Sequence, residues 1–156
     1  MTDLNKVNWK GPQPAPKYLG HLLRYNFPQI REIGIYNDRN IAGTTVKSAH
    51  AEGRAIDIHL NALNSEQRGL GDQLVIAFTR KAPALGIDNV IWNRQIWSVA
   101  HGGPRQYLGV NPHIDHIHVE FTRQGSQALT LPAIDIDIAR IRTGLEDLQR
   151  GRQNIA

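Results

Sequence analysis

The chain has 156 residues, 40% hydrophobic and 21% charged, enough for one compact domain with a real core and little room for a second. It holds no cysteine, which excludes disulfides and thiolate metal sites and leaves His, Asp and Glu to hold any metal. The formal charge of +4 is scattered, without a Lys/Arg block interleaved with aromatics, so no nucleic-acid partner is expected.

The first residues, Met1-Thr2-Asp3-Leu4-Asn5, show no secretory leader, and no apolar run is long enough to span a bilayer. A soluble chain with no transmembrane segment is expected. Gly11, Pro12, Pro14 and Pro16 predict an extended arm over 1–17. Leu19, Leu22, Leu23 and Phe27 recur at helical spacing and predict a short helix over 18–27, stopped by Pro28. Ile33-Gly34-Ile35-Tyr36 reads as a strand, and 37–47 as a polar, turn-rich loop.

Ala55-Ile56-Asp57-Ile58-His59-Leu60 alternates as a half-buried strand does. Ser65 is placed to cap a helix running to about Leu85, with Gly86 ending it. Asn89-Val90-Ile91-Trp92 and Gln95-Ile96-Trp97 predict a strand or hairpin, with the tryptophans most simply in the core and the alternative that one of them walls a saccharide or peptide groove. Gly102, Gly103 and Pro104 predict a loop, and Val119-Glu120-Phe121 a further strand. Ile134, Ile138, Ile141, Leu145 and Leu148 predict an amphipathic helix over about 133–149. The sum is an α+β fold, a small mixed or antiparallel sheet with flanking helices, divided as arm 1–17, main domain 18–128 and C-terminal helix and tail 129–156. The apolar stripe of that last helix packs back on the domain or meets a partner chain or domain, the first being favoured.

Chemistry concentrates in the histidines. Three fall within six residues, His113-Ile114-Asp115-His116-Ile117-His118, downstream of Ser48-Ala49-His50-Ala51-Glu52-Gly53-Arg54-Ala55-Ile56-Asp57. Two histidines and a carboxylate suit zinc with an open fourth position, with His50, Asp57 and one of the later histidines as ligands. Strand alternation puts His116, His118 and Glu120 on one face and Ile117, Val119 and Phe121 on the core face.

Ser48-x-His50-x-x-Gly53-x-Ala55-x-Asp57 followed by Asp115-His116-x-His118 resembles the signature of the D-alanyl-D-alanine peptidase and hedgehog-type zinc superfamily. The resemblance covers about 30–122, and 90–97 is similar to a subgroup of bacterial cell-wall peptidase domains. It implies a hedgehog- or D,D-peptidase-like fold and one zinc per chain on His50, Asp57 and His118. It also implies peptidoglycan stem peptides as substrate and action in the periplasm or cell wall, as a phage lysin or delivered antibacterial effector. By the same resemblance His116 is a neighbouring or substrate-contacting group, and the general base is Asp115 or His113, with Asp115 preferred. Arg39 stabilises the oxyanion or anchors substrate, and Ser48 either binds a substrate carboxylate or caps a turn. The alternative is a non-catalytic zinc-binding interaction module of the hedgehog type.

Overall fold

The computed structural model describes residues 1–155. Its elements are helices α1 (Pro14–Asn26), α2 (Ser65–Arg80), α3 (Ala82–Leu85) and α4 (Pro132–Ile155), and strands β1 (Ile33–Gly34), β2 (Ala55–His59), β3 (Ile87–Trp92), β4 (Gln95–Ser98), β5 (Gly102–Gln106) and β6 (His116–Phe121). The strands form one six-stranded sheet in the order β1-β2-β6-β3-β4-β5, and every neighbouring pair is antiparallel. This is an α+β fold.

Alternation decides which side of the sheet is buried. Ile56 and Ile58 of β2, Val90 and Trp92 of β3, and Ile117, Val119 and Phe121 of β6 form one apolar cluster with residues from the helices. Leu19 and Leu23 of α1, Leu70, Leu74 and Phe78 of α2, and Ile134 and Ile138 of α4 complete it. Trp92 is buried and donates its indole N–H to Asp72 Oδ1 at 2.9 Å, while Trp97 is half-buried against the same cluster. The opposite face of β2 and β6 is left to Asp57, His59, His116, His118 and Glu120.

Several boundaries differ from those the sequence suggests. The arm is not extended throughout: a 3-10 turn forms at Leu4–Lys6, and α1 begins at Pro14. A proline in the first helical turn gives up an N–H that has no partner there, so Pro14 and Pro16 start the helix rather than prevent it. The helix expected to run from 65 to 85 is two, separated at Lys81 by the disruption that Pro83 imposes, and its cap is Asn64, whose side chain accepts from Gln67 N. The segment expected as a glycine-rich loop is β5, an edge strand, where Pro104 is tolerated. The last helix is longer than 133–149 and packs against α1, α2 and α3. No helix among the described residues is long and apolar enough to cross a membrane.

Candidate metal centre

His50 is carried by a short 3-10 turn, Ala49–Glu52. Ser48 caps that turn, its Oγ accepting from Ala51 N at 3.3 Å. Gly53 ends it in the left-handed region at φ 67°, its N–H bonded to Ala49 O and His50 O. No side chain fits there, because a Cβ on Gly53 would stand 1.7 Å from Gly11 O. The spacing Ser48-x-His50-x-x-Gly53 therefore encodes a cap, an imidazole and a stop. The chain then enters β2, where Asp57 stands directly opposite His118 of β6 and His59 opposite His116. Cross-strand partners share a face, so the ladder alone brings these pairs together.

Three ligand atoms converge. His50 Nε2 lies 3.1 Å from Asp57 Oδ1 and 3.2 Å from His118 Nδ1, and His118 Nδ1 lies 3.1 Å from Asp57 Oδ1. Ligand atoms about 2.0–2.1 Å from a tetrahedral zinc lie about 3.3 Å from one another, so this triangle has the size of one face of such a site. Each imidazole also faces an acceptor with its outer nitrogen. His50 Nδ1 donates to Ile35 O at 2.7 Å, leaving Nε2 its lone pair; His118 Nε2 faces Glu120 Oε2 at 3.7 Å, leaving Nδ1 turned inward. These three residues can hold a metal ion, and they are the one such group among the described residues.

Electrostatics agree with the geometry. Burial pushes the Asp57 carboxyl up, but the hydrogen bond from His118, with His50 close beside it, outweighs burial and holds the group well below the usual carboxylate range. Burial opposes a charge on His118, yet its bonds to Asp57 and Glu120 raise its pKa. A cation entering the triangle takes the place of that proton. Around His118 lies a chain of charges: Arg54 Nη1 donates to Glu120 Oε1 at 2.7 Å, and Arg54 Nε to Glu52 Oε2 at 2.6 Å, while Arg123 pairs with Glu52 from outside. Burial raises the Glu120 carboxyl, but His118 and Arg54 together hold it down to about 2.

His116 and His113 border the triangle. His116 Nε2 lies 3.7 Å from Asp57 Oδ1, and its Nδ1 donates to Asp115 Oδ1 at 2.7 Å. Asp115 itself is largely exposed, with its carboxylate turned to His116. His113 adopts φ 51°, unusual for a side chain larger than glycine, and is buried. Asn111 holds it there twice, with Oδ1 accepting from His113 N at 2.9 Å and O from Nδ1 at 2.7 Å. That leaves His113 Nε2 with a free lone pair. Its ring packs 4.7 Å from His116, 5.8 Å from His118 and 5.1 Å from Tyr107. Burial, aided by repulsion from His116, pushes its pKa down to about 4, so it is neutral.

The remaining sequence candidates are placed differently. The Ser48 hydroxyl is buried and engaged as a cap, which is the second of its two expected roles. Arg39 is exposed on the loop before His50, and its carbonyl accepts from Ser48 N at 3.1 Å, tying that loop to the His50 turn. Sequence reasoning did not single out Arg54, Tyr107 or the role of Glu120. Only the shared face of His118 and Glu120 hinted at the last. His59, whose ring lies 5.5 Å from His116, also borders an open cleft of about 620 Å³ that is otherwise lined by residues outside the site, among them Gln29, Glu32, Asn64 and Leu145.

Fold and site together define an α+β domain with a His/Asp/His group able to hold a metal ion. The chain belongs to the family described as VldE, C-terminal domain, whose model matches residues 9–118 and so spans all three of these side chains. No curated protein and no solved structure matches it significantly.

Proposed function

We propose that this protein is a zinc metallopeptidase that hydrolyses peptide bonds in the stem peptides of bacterial peptidoglycan. The observation that carries the metal is the triangle of His50 Nε2, Asp57 Oδ1 and His118 Nδ1, with edges of 3.1, 3.2 and 3.1 Å. The substrate class is supported by the resemblance of this ligand spacing to D,D-peptidase-type enzymes. When bound, zinc supplies a polarised carbonyl and an acidified water.

The chain's own residues supply the proton handling. The Asp115 carboxylate fixes a proton on His116 Nδ1, so His116 Nε2 presents its lone pair toward the triangle and takes the proton of the attacking water. His116 then returns that proton to the departing amine. Neutral His113 offers Nε2 as a hydrogen-bond acceptor that orients the water or the leaving N–H. Asp115 thus acts through His116 rather than as the base itself. Arg39, on the loop tied to the His50 turn, anchors the substrate carboxylate or the developing oxyanion.

A zinc-binding interaction module would leave the Asp115–His116 pair without a task, which favours the enzyme. The deciding experiment is digestion of purified muropeptides followed by mass spectrometry, with and without a chelator. Chelator-sensitive products of defined mass support the proposal. Intact muropeptides in the presence of zinc-loaded protein would leave only the module.

A further inference from the structure

We propose that Arg105 is a specificity-determining residue that anchors a substrate carboxylate on the open sheet face, remote from the scissile bond; this rests on the peptidase activity proposed above. The ladder registers place Asp57, His118, Ile91, Ile96 and Arg105 opposite one another in turn, on β2, β6, β3, β4 and β5. Directly opposed residues share a face, so this row crosses the open face from the metal centre to the sheet edge. Three strand spacings of about 4.8 Å separate His118 from Arg105, about 14 Å in all.

The row changes character along its length. After the two ligands comes Ile91, buried yet outside the core cluster on the helix side, and then Ile96, half-buried and also outside it. Arg105 is exposed at the end of the row. Among the described residues its guanidinium meets no carboxylate, only Ser98 Oγ, to which Nη2 donates at 3.3 Å. Arg54 and Arg123, by contrast, are both paired with acids. Ser98 is buried and its Oγ also accepts from His101 N at 3.2 Å, so it is a fixed prop that draws the guanidinium back over the open face.

A bulge serves the same end. Ile96 opposes Arg105 and Ser98 opposes Gly102, so β5 carries one residue more than β4 over this stretch. Gly103 lies in it at φ 144°, where a Cβ would stand 2.7 Å from Ile96 O. Bulges at sheet edges re-aim side chains, and this one returns Arg105 to the face of Ile96. A guanidinium offers a planar fork of donors that matches a carboxylate, and here no acid of the chain occupies it. Ile96 beside it suits the aliphatic part of a peptide. Arg39 belongs to the loop before His50, so the carboxylate at Arg105 is a second one.

The test compares one stem peptide in two forms, with its carboxylates free and with them amidated. Both are given to the zinc-loaded unaltered chain, to Arg105→Gln and to Arg105→Lys. The unaltered chain should prefer the free acid, and Arg105→Gln should lose about tenfold or more of that preference, through KM rather than kcat. Arg105→Lys should keep part of it, since the charge stays while the fork is lost. A preference that is absent in the unaltered chain, or unchanged within about twofold in Arg105→Gln, would overturn the proposal. So would an equal loss on both peptides, which marks a structural role. If the unaltered chain cuts neither peptide, the peptidase activity falls, and calorimetric binding of the same pair then decides Arg105 by the same ratio.

Discussion

Asp57 of β2 and His118 of β6 stand opposite each other in one antiparallel ladder, with Oδ1 and Nδ1 3.1 Å apart. His50 reaches the same point from a separate turn. The centre thus depends on two strands and one cap rather than on a flexible loop. Purified protein is expected to hold one zinc per chain by elemental analysis. His118→Ala should lose most of it and His116→Ala should keep it, because His116 lies outside the triangle. The reverse pattern would exchange the two histidines.

The Asp115–His116 contact yields a prediction about additivity. Asp115→Asn and His116→Ala should each leave zinc in place and lower turnover by about a hundredfold or more, the usual scale for general acid–base groups. With Asp115 acting through His116, as proposed, the double variant should be no slower than His116→Ala alone. Losses that multiply in the double variant would return Asp115 to an independent role as base.

Much of this was legible in the sequence because each part rests on a local rule. The alternation of Ile117, Val119 and Phe121 fixed which face of β6 is buried, and hence that His116 and His118 share the other. Gly53 and Ser48 marked the turn that aims His50. The donors and acceptors around the ligands were not legible. Arg54 and Glu120 are 66 positions apart, and only the register of β2 on β6 makes them neighbours. Nor does spacing reveal that Asp115 turns to the adjacent His116, or that Asn111 bends His113 into a left-handed conformation. Those outcomes depend on side-chain rotation and on a loop whose course no periodicity describes.

The buried carboxylates set a pH dependence for the metal-free fold. Glu120 has an ordinary value of 4.5 and is held at about 2 in the folded chain. A depressed folded-state pKa contributes stability that is present above 4.5 and lost as pH falls toward 2. The contribution is on the order of 3 kcal/mol. Urea midpoints of metal-free protein should therefore decline through this acid range. Glu120→Gln should be less stable at neutral pH, with a shallower acid decline. An acid limb of equal steepness in the variant would assign the loss to other groups.

Helix α4 lies outside the family match, yet its inner face belongs to the core. Ile134 and Ile138 are fully buried, Ile141 is buried at its rim, and Leu145 packs half-covered beside them. Polar contacts fix the same end: Lys81 Nζ donates to Ala133 O at 2.9 Å and pairs with Asp137 at 2.9 Å, and Tyr18 donates to Asp135 Oδ1 at 2.9 Å. Leu148, expected on the apolar stripe, is instead mostly exposed, because the helix has by then run past the body of the domain. The two halves of α4 should therefore behave differently. Truncation after Gln127 removes three buried isoleucines at roughly 1.5–3 kcal/mol each. That loss is comparable with the whole stability of a typical domain, so the shortened chain should fail to fold. Truncation after Glu146 removes, among the described residues, only exposed ones and should shift stability by no more than about 0.5 kcal/mol. Urea unfolding followed by circular dichroism separates the cases. A chain ending at Gln127 that keeps its midpoint and changes only its oligomeric mass would make α4 an assembly element instead.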